Sequence, residues 1–261
     1  MRWIIMKNKI RFLIVSLILV LILTAAPELK AAALKKLDYQ ILASYEHDPQ
    51  AFTQGLEIYD RQLFEGTGLY GRSSLRKVEI KSGKVLKKIN LEQKYFGEGI
   101  TILNDRIFQL TWKENTAFVY DLNFNLIKTF TYQGEGWGLA NDGQNLIMSS
   151  GSQYIYFRDP ESFEIVKKIR VKNGDQEIKN INELEYHNGF IYANIWQTDY
   201  IVKIRAENGT AEAYLDLKGI LKTDYQGEID VLNGIAYDPT NNSFLVTGKL
   251  WPKIYRIKIL K

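Results

Sequence analysis

Five stretches of this chain can be laid over one another, and that recurrence limits the fold more than any other feature. They begin at Gln54 (QGLEIYDRQLFEGTGLYGRSSLRKVEI), Glu98 (EGITILNDRIFQLTWKENTAFVYDL), Trp137 (WGLANDGQNLIMSSGSQYIYFRD), Asn182 (NELEYHNGFIYANIWQTDYIVKI) and Asn233 (NGIAYDPTNNSFLVTGKLWPKIYRI). Each reads as a short apolar strand, a polar turn, a second apolar strand ending in small or polar residues, and a third amphipathic strand. Turns rest on pairs such as Asn104-Asp105, Asp142-Gly143 and Asn188-Gly189, since the chain has only 5 Pro. The repeat starts follow one another at roughly 40 to 50 residues, the period of a four-stranded propeller blade. Between them, VLKKINL, LIKTFTY, IVKKIRV and AEAYLDL supply outer fourth strands. After Ile259 nothing is left for that strand in the fifth repeat, and Asp38–Glu46 (DYQILASYE), ahead of the first repeat, fills the place. The expectation is an all-β, five-bladed β-propeller of four-stranded antiparallel blades, closed by an N-terminal strand and occupying residues 34–261 as one domain. A β-sandwich accounts for the strands but not for a fivefold repeat with an outer strand missing at one end and spare at the other.

Composition removes several classes of chemistry. The 261 residues include no Cys, which excludes a disulfide scaffold, an iron–sulfur cluster, a thiol nucleophile, Cys-ligated zinc and a lipidated Cys. His47 and His187 are the only histidines, so a multi-histidine metal site cannot be built. Of 34 Lys+Arg and 30 Asp+Glu, five basic residues (Arg2, Lys7, Lys9, Arg11, Lys30) and one acid (Glu28) lie in the first 33 positions. The remainder is neutral and gives no basic field for a nucleic acid. The leader has a basic start, the apolar run Phe12–Leu23 (FLIVSLILVLIL) and small residues at Ala31-Ala32-Ala33. It reads as a cleaved export signal; uncleaved, residues 10–27 would be an anchor and the only membrane contact. In either case the domain is expected outside the cytoplasm, periplasmic or secreted, and a monomer.

In a propeller the repeat starts converge on the axis and the loops at one mouth bind ligands. The starts carry Phe52, Gln54, Phe96, Glu98, Trp137, Asn182 and Glu183, and the ends of the second strands carry Trp112, Trp196 and Lys249. Taken singly, Glu98 reads as a turn acid and Lys249 as a surface lysine. Gathered at one mouth, they form an apolar pocket with a few convergent polar groups. Glu98 stands between Gly97 and Gly99, which lets backbone approach a ligand; aromatic walls would raise its pKa and suit it to proton transfer. Gly66-Thr67-Gly68-Leu69-Tyr70-Gly71 matches G-x-G-x-x-G but is followed by a strand, not a helix, so it is no dinucleotide site. His47-Asp48 reads as a turn before Pro49 rather than a ligand pair.

Seven ordered motifs then carry a resemblance. Ala51–Leu56 (AFTQGL), Phe96–Gly99 (FGEG), Gly136–Leu139 (GWGL), Asn182–Tyr186 (NELEY), Ala193–Asp199 (ANIWQTD), Leu232–Ala236 (LNGIA) and Thr247–Pro252 (TGKLWP) resemble the plant-type glutaminyl cyclases, the zinc-independent glutaminyl-peptide cyclotransferases also found in bacteria. The resemblance spans nearly all of His47 to Ile257. It implies a five-bladed propeller that converts N-terminal glutamine of peptides or proteins to pyroglutamate with release of ammonia, needing no cofactor or catalytic metal. It places the catalytic carboxylate on Glu98 and the pocket on Phe52, Gln54, Phe96, Trp112, Trp137, Asn182, Trp196 and Lys249. Lys249, Asn182 or Gln54 could hold the oxyanion, and Glu183 could orient the amine. A structural calcium in the channel is left open. Two other classes compete: a non-catalytic exported propeller binding a protein or glycan, and a hydrolase using a central divalent metal held by residues such as Glu98, Asn182 and Glu183.

Overall fold

The computed structural model describes residues 34–260, so the expected leader, residues 1–33, lies outside the described residues. The strands form five four-stranded antiparallel sheets in chain order. From first to outermost strand, blade 1 is Thr53–Tyr59, Gln62–Thr67, Ser74–Val78 and Val85–Asn90, and blade 2 is Gly97–Leu103, Arg106–Thr111, Thr116–Asp121 and Leu126–Thr131. Blade 3 is Leu139–Asn141, Leu146–Ser149, Tyr154–Arg158 and Ile165–Arg170, and blade 4 is Ile181–His187, Phe190–Ile195, Tyr200–Arg205 and Ala211–Asp216. Blade 5 is Leu232–Asp238, Ser243–Gly248, Lys253–Ile259 and, from the other end of the chain, Tyr39–Glu46. All four expected fourth strands form, and Tyr39–Glu46 fills the vacant place.

First strands of neighbouring blades touch one another all the way round the ring. They are therefore the most buried, as in Gly97–Leu103, whereas outer strands such as Val85–Asn90 face water along most of their length. Apolar packing lies between blades rather than in one central core. Five buried clusters among the described residues match the five interfaces, for example Leu56, Leu63, Ala236, Leu245 and Ile254 between blades 5 and 1. Near the axis the backbones come closer than side chains allow. A Cβ on Gly99 would sit 2.5 Å from the Leu139 amide nitrogen, and one on Gly138 would strike the Asn182 carbonyl. The glycines beside Glu98 thus serve blade-to-blade contact, not approach to a ligand as expected.

Two features were not anticipated. Lys35–Leu37 adds a fifth, parallel strand to the outer edge of blade 4, pairing with Ala213–Leu215, and Lys36 bonds Asp216 at 3.0 Å. With the next strand in blade 5, this segment staples two blades along their outer edges. A two-residue hairpin, Lys172–Asn173 with Gln176–Glu177, fills the link between blades 3 and 4.

The ring closes on His47. Tyr39–Glu46 runs antiparallel to Lys253–Ile259, and the His47 amide then donates to the Pro252 carbonyl at 3.0 Å. The His47 ring is buried, with Nδ1 2.6 Å from the Trp251 carbonyl in blade 5 and Nε2 2.9 Å from Glu65 in blade 1. A carbonyl and a carboxylate both accept, so the site favours the imidazolium, which donates from both nitrogens. Burial works against that charge, but the Glu65 carboxylate and the Trp251 carbonyl outweigh it and raise the His47 pKa above 6.5. Burial likewise opposes the Glu65 charge, yet His47, Arg76 and the Thr53 hydroxyl hold it below 4.5.

Breaking this pair leaves a buried charge uncompensated, so His47→Ala should cost about 3–5 kcal/mol in urea unfolding. The His47 contribution is full below pH 6.5 and fades as pH rises through its raised folded value; the Glu65 contribution is full above pH 4.5 and fades as pH falls through its lowered one. The difference between wild type and His47→Ala should therefore be largest between those two values. A difference below about 1 kcal/mol, or one that grows at alkaline pH, would contradict this closure.

Candidate active site

The pocket residues sit at one rim because antiparallel pairing puts the start of each first strand beside the end of its second. Phe52 and Phe96 immediately precede first strands, while Trp112, Trp196 and Lys249 immediately follow second strands. Four of the five first strands also carry a one-residue bulge at this rim. The extra residue falls between Thr53 and Gly55, between Gly97 and Ile100, between Ile181 and Leu184, and between Leu232 and Ile235. Bulges bend a strand and re-aim a side chain. Here they hold Gln54, Glu98, Asn182 and Asn233.

The result is a cavity of about 430 Å³ lined by Phe52, Gln54, Phe96, Glu98, Trp112, Trp137, Asn182, Trp196 and Lys249, together with Leu69, Gln197, Asp230 and Val231. Nine of the ten residues expected at the site meet there. The aromatic walls interlock edge to face: Phe52 on Phe96 at 6.1 Å, Phe96 on Trp112 at 5.6 Å, and Trp137 on Trp196 at 5.5 Å between ring centroids. Trp137 can lie where it does because Gly151 faces it; a Cβ there would meet the indole at 2.7 Å.

Glu98 is 4% exposed. Gln54 Nε2 donates to its Oε1 at 3.2 Å, and Gln54 is itself fixed by Asn233, whose Nδ2 donates to Gln54 Oε1 at 3.2 Å and to the Thr53 carbonyl at 2.9 Å. Burial pushes the Glu98 carboxyl well above 4.5; Lys249 pulls it down, and Glu114 and Glu135 push it up again. Lys249 is equally buried. Burial lowers its pKa, Glu98 and Asp230 raise it, and its ammonium lies 4.8 Å from the centre of the Phe52 ring. Among the described residues Lys249 makes no salt bridge, so its charge is open to a ligand. Asn182 Oδ1 is buried without a hydrogen-bond partner among the described residues, an acceptor still to be satisfied.

Glu183 is the exception. It does not line the cavity. Its Oε1 accepts the Leu56 amide of blade 1 at 3.2 Å and its Oε2 the Ile235 amide of blade 5 at 2.8 Å. Both lie in the bulge between Ile181 and Leu184, where Asn182 enters the cavity and Glu183 turns away to pin three blades together. The expectation that Glu183 orients an amine is corrected on that ground. Several residues of the site were missed. Asn233 lies in a quoted motif, and its place at a repeat start, equivalent to Asn182, was the available signal. Asp230 and Val231 lie in the strandless stretch before blade 5 and carry no pattern. Glu135, two residues before Trp137, looks like an ordinary loop acid. Among the described residues no group of three or more His, Cys, Asp or Glu side chains is arranged to hold a metal ion.

Residues 14–259 match the family model described as glutamine cyclotransferase. A glutaminyl-peptide cyclotransferase of Arabidopsis thaliana is 44% identical over 230 residues, covering 85% of this chain and 71% of that protein. The crystal structure of Myxococcus xanthus glutaminyl cyclase superposes with a TM-score of 0.80 at 32% identity, covering 87% of this chain and 99% of that one.

Since Lys249 is the one charge holding the Glu98 carboxyl down, Lys249→Met should move the Glu98 titration to higher pH. Carbon-13 NMR of labelled glutamate side chains would follow it, with Glu98→Gln assigning the signal. A midpoint that stays put or falls would show that the two groups are not coupled across the cavity.

Proposed function

The chain belongs to the glutamine cyclotransferase family, and on that premise we propose that the pocket around Glu98 closes the N-terminal glutamine of a peptide or protein into pyroglutamate, releasing ammonia. One observation carries this: a buried carboxylate with a raised pKa, oriented by Gln54, walled by five aromatic rings and sharing its cavity with a buried ammonium.

The reaction has two difficulties. The α-amine is largely protonated at neutral pH, with a pKa of about 7.7–8.0, and an amide nitrogen leaves poorly. Glu98 answers both. As a carboxylate it takes a proton from the ammonium; the freed amine attacks the side-chain amide carbon; the protonated Glu98 then hands its proton to the amide nitrogen as the C–N bond breaks. The ring nitrogen sheds its second proton to the departing ammonia, which leaves as ammonium. A carboxylate in water is too weak a base for the first step. Burial raises Glu98 towards the pKa of the amine it must deprotonate.

The aromatic walls hold the glutamine side chain folded back on its own amine, so much of the acceleration comes from restricted motion. The developing oxyanion needs a donor. Gln54 is engaged at both ends of its amide, by Glu98 and Asn233, whereas the Lys249 ammonium is unpaired among the described residues; Lys249 is the better candidate. The unpaired Asn182 Oδ1 is suited to accept from the substrate amine or its amide. Every step uses side chains of this chain, and we propose that no cofactor or metal takes part. We also propose that the domain works outside the cytoplasm, on the strength of the basic start and apolar run of the leader.

The test is ammonia release from an N-terminal Gln dipeptide by residues 34–261 in excess chelator. Glu98→Gln should retain the fold by circular dichroism and lose roughly 10²–10⁴-fold in kcat. In the wild type, kcat/KM should fall as pH drops through the raised Glu98 value, above the ordinary 4.5. Binding of the dipeptide without turnover would leave a non-catalytic binding propeller, and activity abolished by chelator would point to the metal-dependent class.

A further inference from the structure

Trp112 and Trp137 come from different blades, yet both indole N–H groups end on the same oxygen. Trp112 Nε1 donates to Glu135 Oε2 at 2.8 Å and Trp137 Nε1 to that oxygen at 2.9 Å. The other oxygen, Oε1, lies 3.8 Å from the Lys113 ammonium, which is itself 3.8 Å from the centre of the Trp112 ring. Glu135 sits in the link from Leu126–Thr131, the last strand of blade 2, to Trp137. With both N–H groups taken up, the indoles offer a ligand only ring surface.

We propose that Glu135 is a positioning residue for the cyclisation: one carboxylate oxygen clamps the two indoles that share the cavity with Glu98, which seats its negative charge directly behind the wall facing that base. The proposal rests on the reading of the pocket given above. Two consequences follow from the geometry. Without the clamp, Trp112 and Trp137 lose the shared acceptor that ties blade 2 to blade 3 at the mouth, and two unpaired indole donors are left beside the reacting groups. Without the charge, Glu98 becomes a weaker base.

The second effect can be isolated because few charges face Glu98. Lys249 attracts from within the cavity, while Glu114 and Glu135, which do not line it, repel. The hydroxyls of Tyr70 and Tyr132 also feel the Glu98 charge but are neutral across the working range. Glu114 is committed elsewhere, accepting the Tyr70 hydroxyl at 2.8 Å and the Phe96 amide at 3.2 Å. Glu135 alone joins the Trp112–Trp137 wall to the electrostatics of the base.

The experiment compares wild type, Glu135→Gln and Glu135→Ala in steady-state ammonia release from an N-terminal Gln peptide across the acid limb of the pH profile. Glutamine keeps an oxygen for the indoles and drops the charge. Its acid limb in kcat/KM should move to lower pH and its kcat should fall, with KM near that of wild type. Alanine removes both features; it should show the same shift and, in addition, a KM raised roughly 10- to 100-fold as the walls relax. The Glu135 side chain is 39% exposed, so both variants should melt close to wild type. An acid limb that stays in place in both variants, whatever happens to KM, would reduce Glu135 to a prop and overturn the proposal, as would a wild-type KM in Glu135→Ala. If the wild type itself releases no ammonia, the failure belongs to the cyclisation reading instead.

Discussion

The organising constraint is backbone-to-backbone contact at the axis. Five first strands converge on a ring too narrow for side chains at every position, and the glycines among them are where neighbouring strands meet. The Gly99 amide donates to the Trp137 carbonyl at 2.7 Å, so blade 2 is bonded to blade 3 one residue from Glu98. Gly97 faces the Thr67 carbonyl of blade 1, which a Cβ would approach to 2.8 Å. Glu98 is thus held by contacts on both flanks, and its position depends on two neighbouring blades as much as on its own strand. Rigid seating of this kind suits the proton-shuttling role proposed for Glu98, because misplacement by an ångström is expensive in rate.

The same crowding explains why so many carboxylates can be buried near the axis. At the mouth, Glu98 receives one side-chain donor and an unpaired ammonium in its cavity, and is left basic. Deeper in the ring, Glu183 receives two backbone amides and Glu57 the Thr101 hydroxyl at 2.8 Å. Desolvation pushes Glu57 up to about 7 and Glu183 well above 4.5. Glu98 and Glu183, both buried, differ in their access to a ligand rather than in their burial. Glu98 faces a cavity, whereas Glu183 has spent both oxygens on protein donors.

Much of this was legible in the order of residues. Repeat period and strand alternation are properties of linear spacing, and they led to five blades, their outer strands and the strand that closes the ring. The motif residues at the repeat starts and second-strand ends then fell at one rim, because antiparallel pairing leaves them nowhere else to go. What stayed hidden depends on geometry that spacing does not encode. The bulge in four first strands decides which of two adjacent residues enters the pocket, and it separated Asn182 from Glu183 although both looked like candidates. Glu135 was invisible because its role arises only when two tryptophans from different blades aim their N–H groups at one point. His47 reads in the sequence as a turn residue before Pro49, and its part in closure needed Trp251 and Glu65, far away in sequence, to be brought to it. Lys35–Leu37 is too short to show a period.

The seam that closes the ring runs through the pocket. Phe52 stands just after the closing strand and His47, and Lys249 belongs to the blade that strand completes, so the 4.8 Å contact between their side chains exists only once the two ends of the propeller have met. The Leu250 amide donates to the Ala51 carbonyl at 2.7 Å across the same junction. During synthesis on the ribosome the chain therefore carries Glu98 long before it carries Lys249, the cation that shares its cavity. The pocket is completed late and all at once, with the last blade, and an unfinished or unlatched ring has no partial version of it.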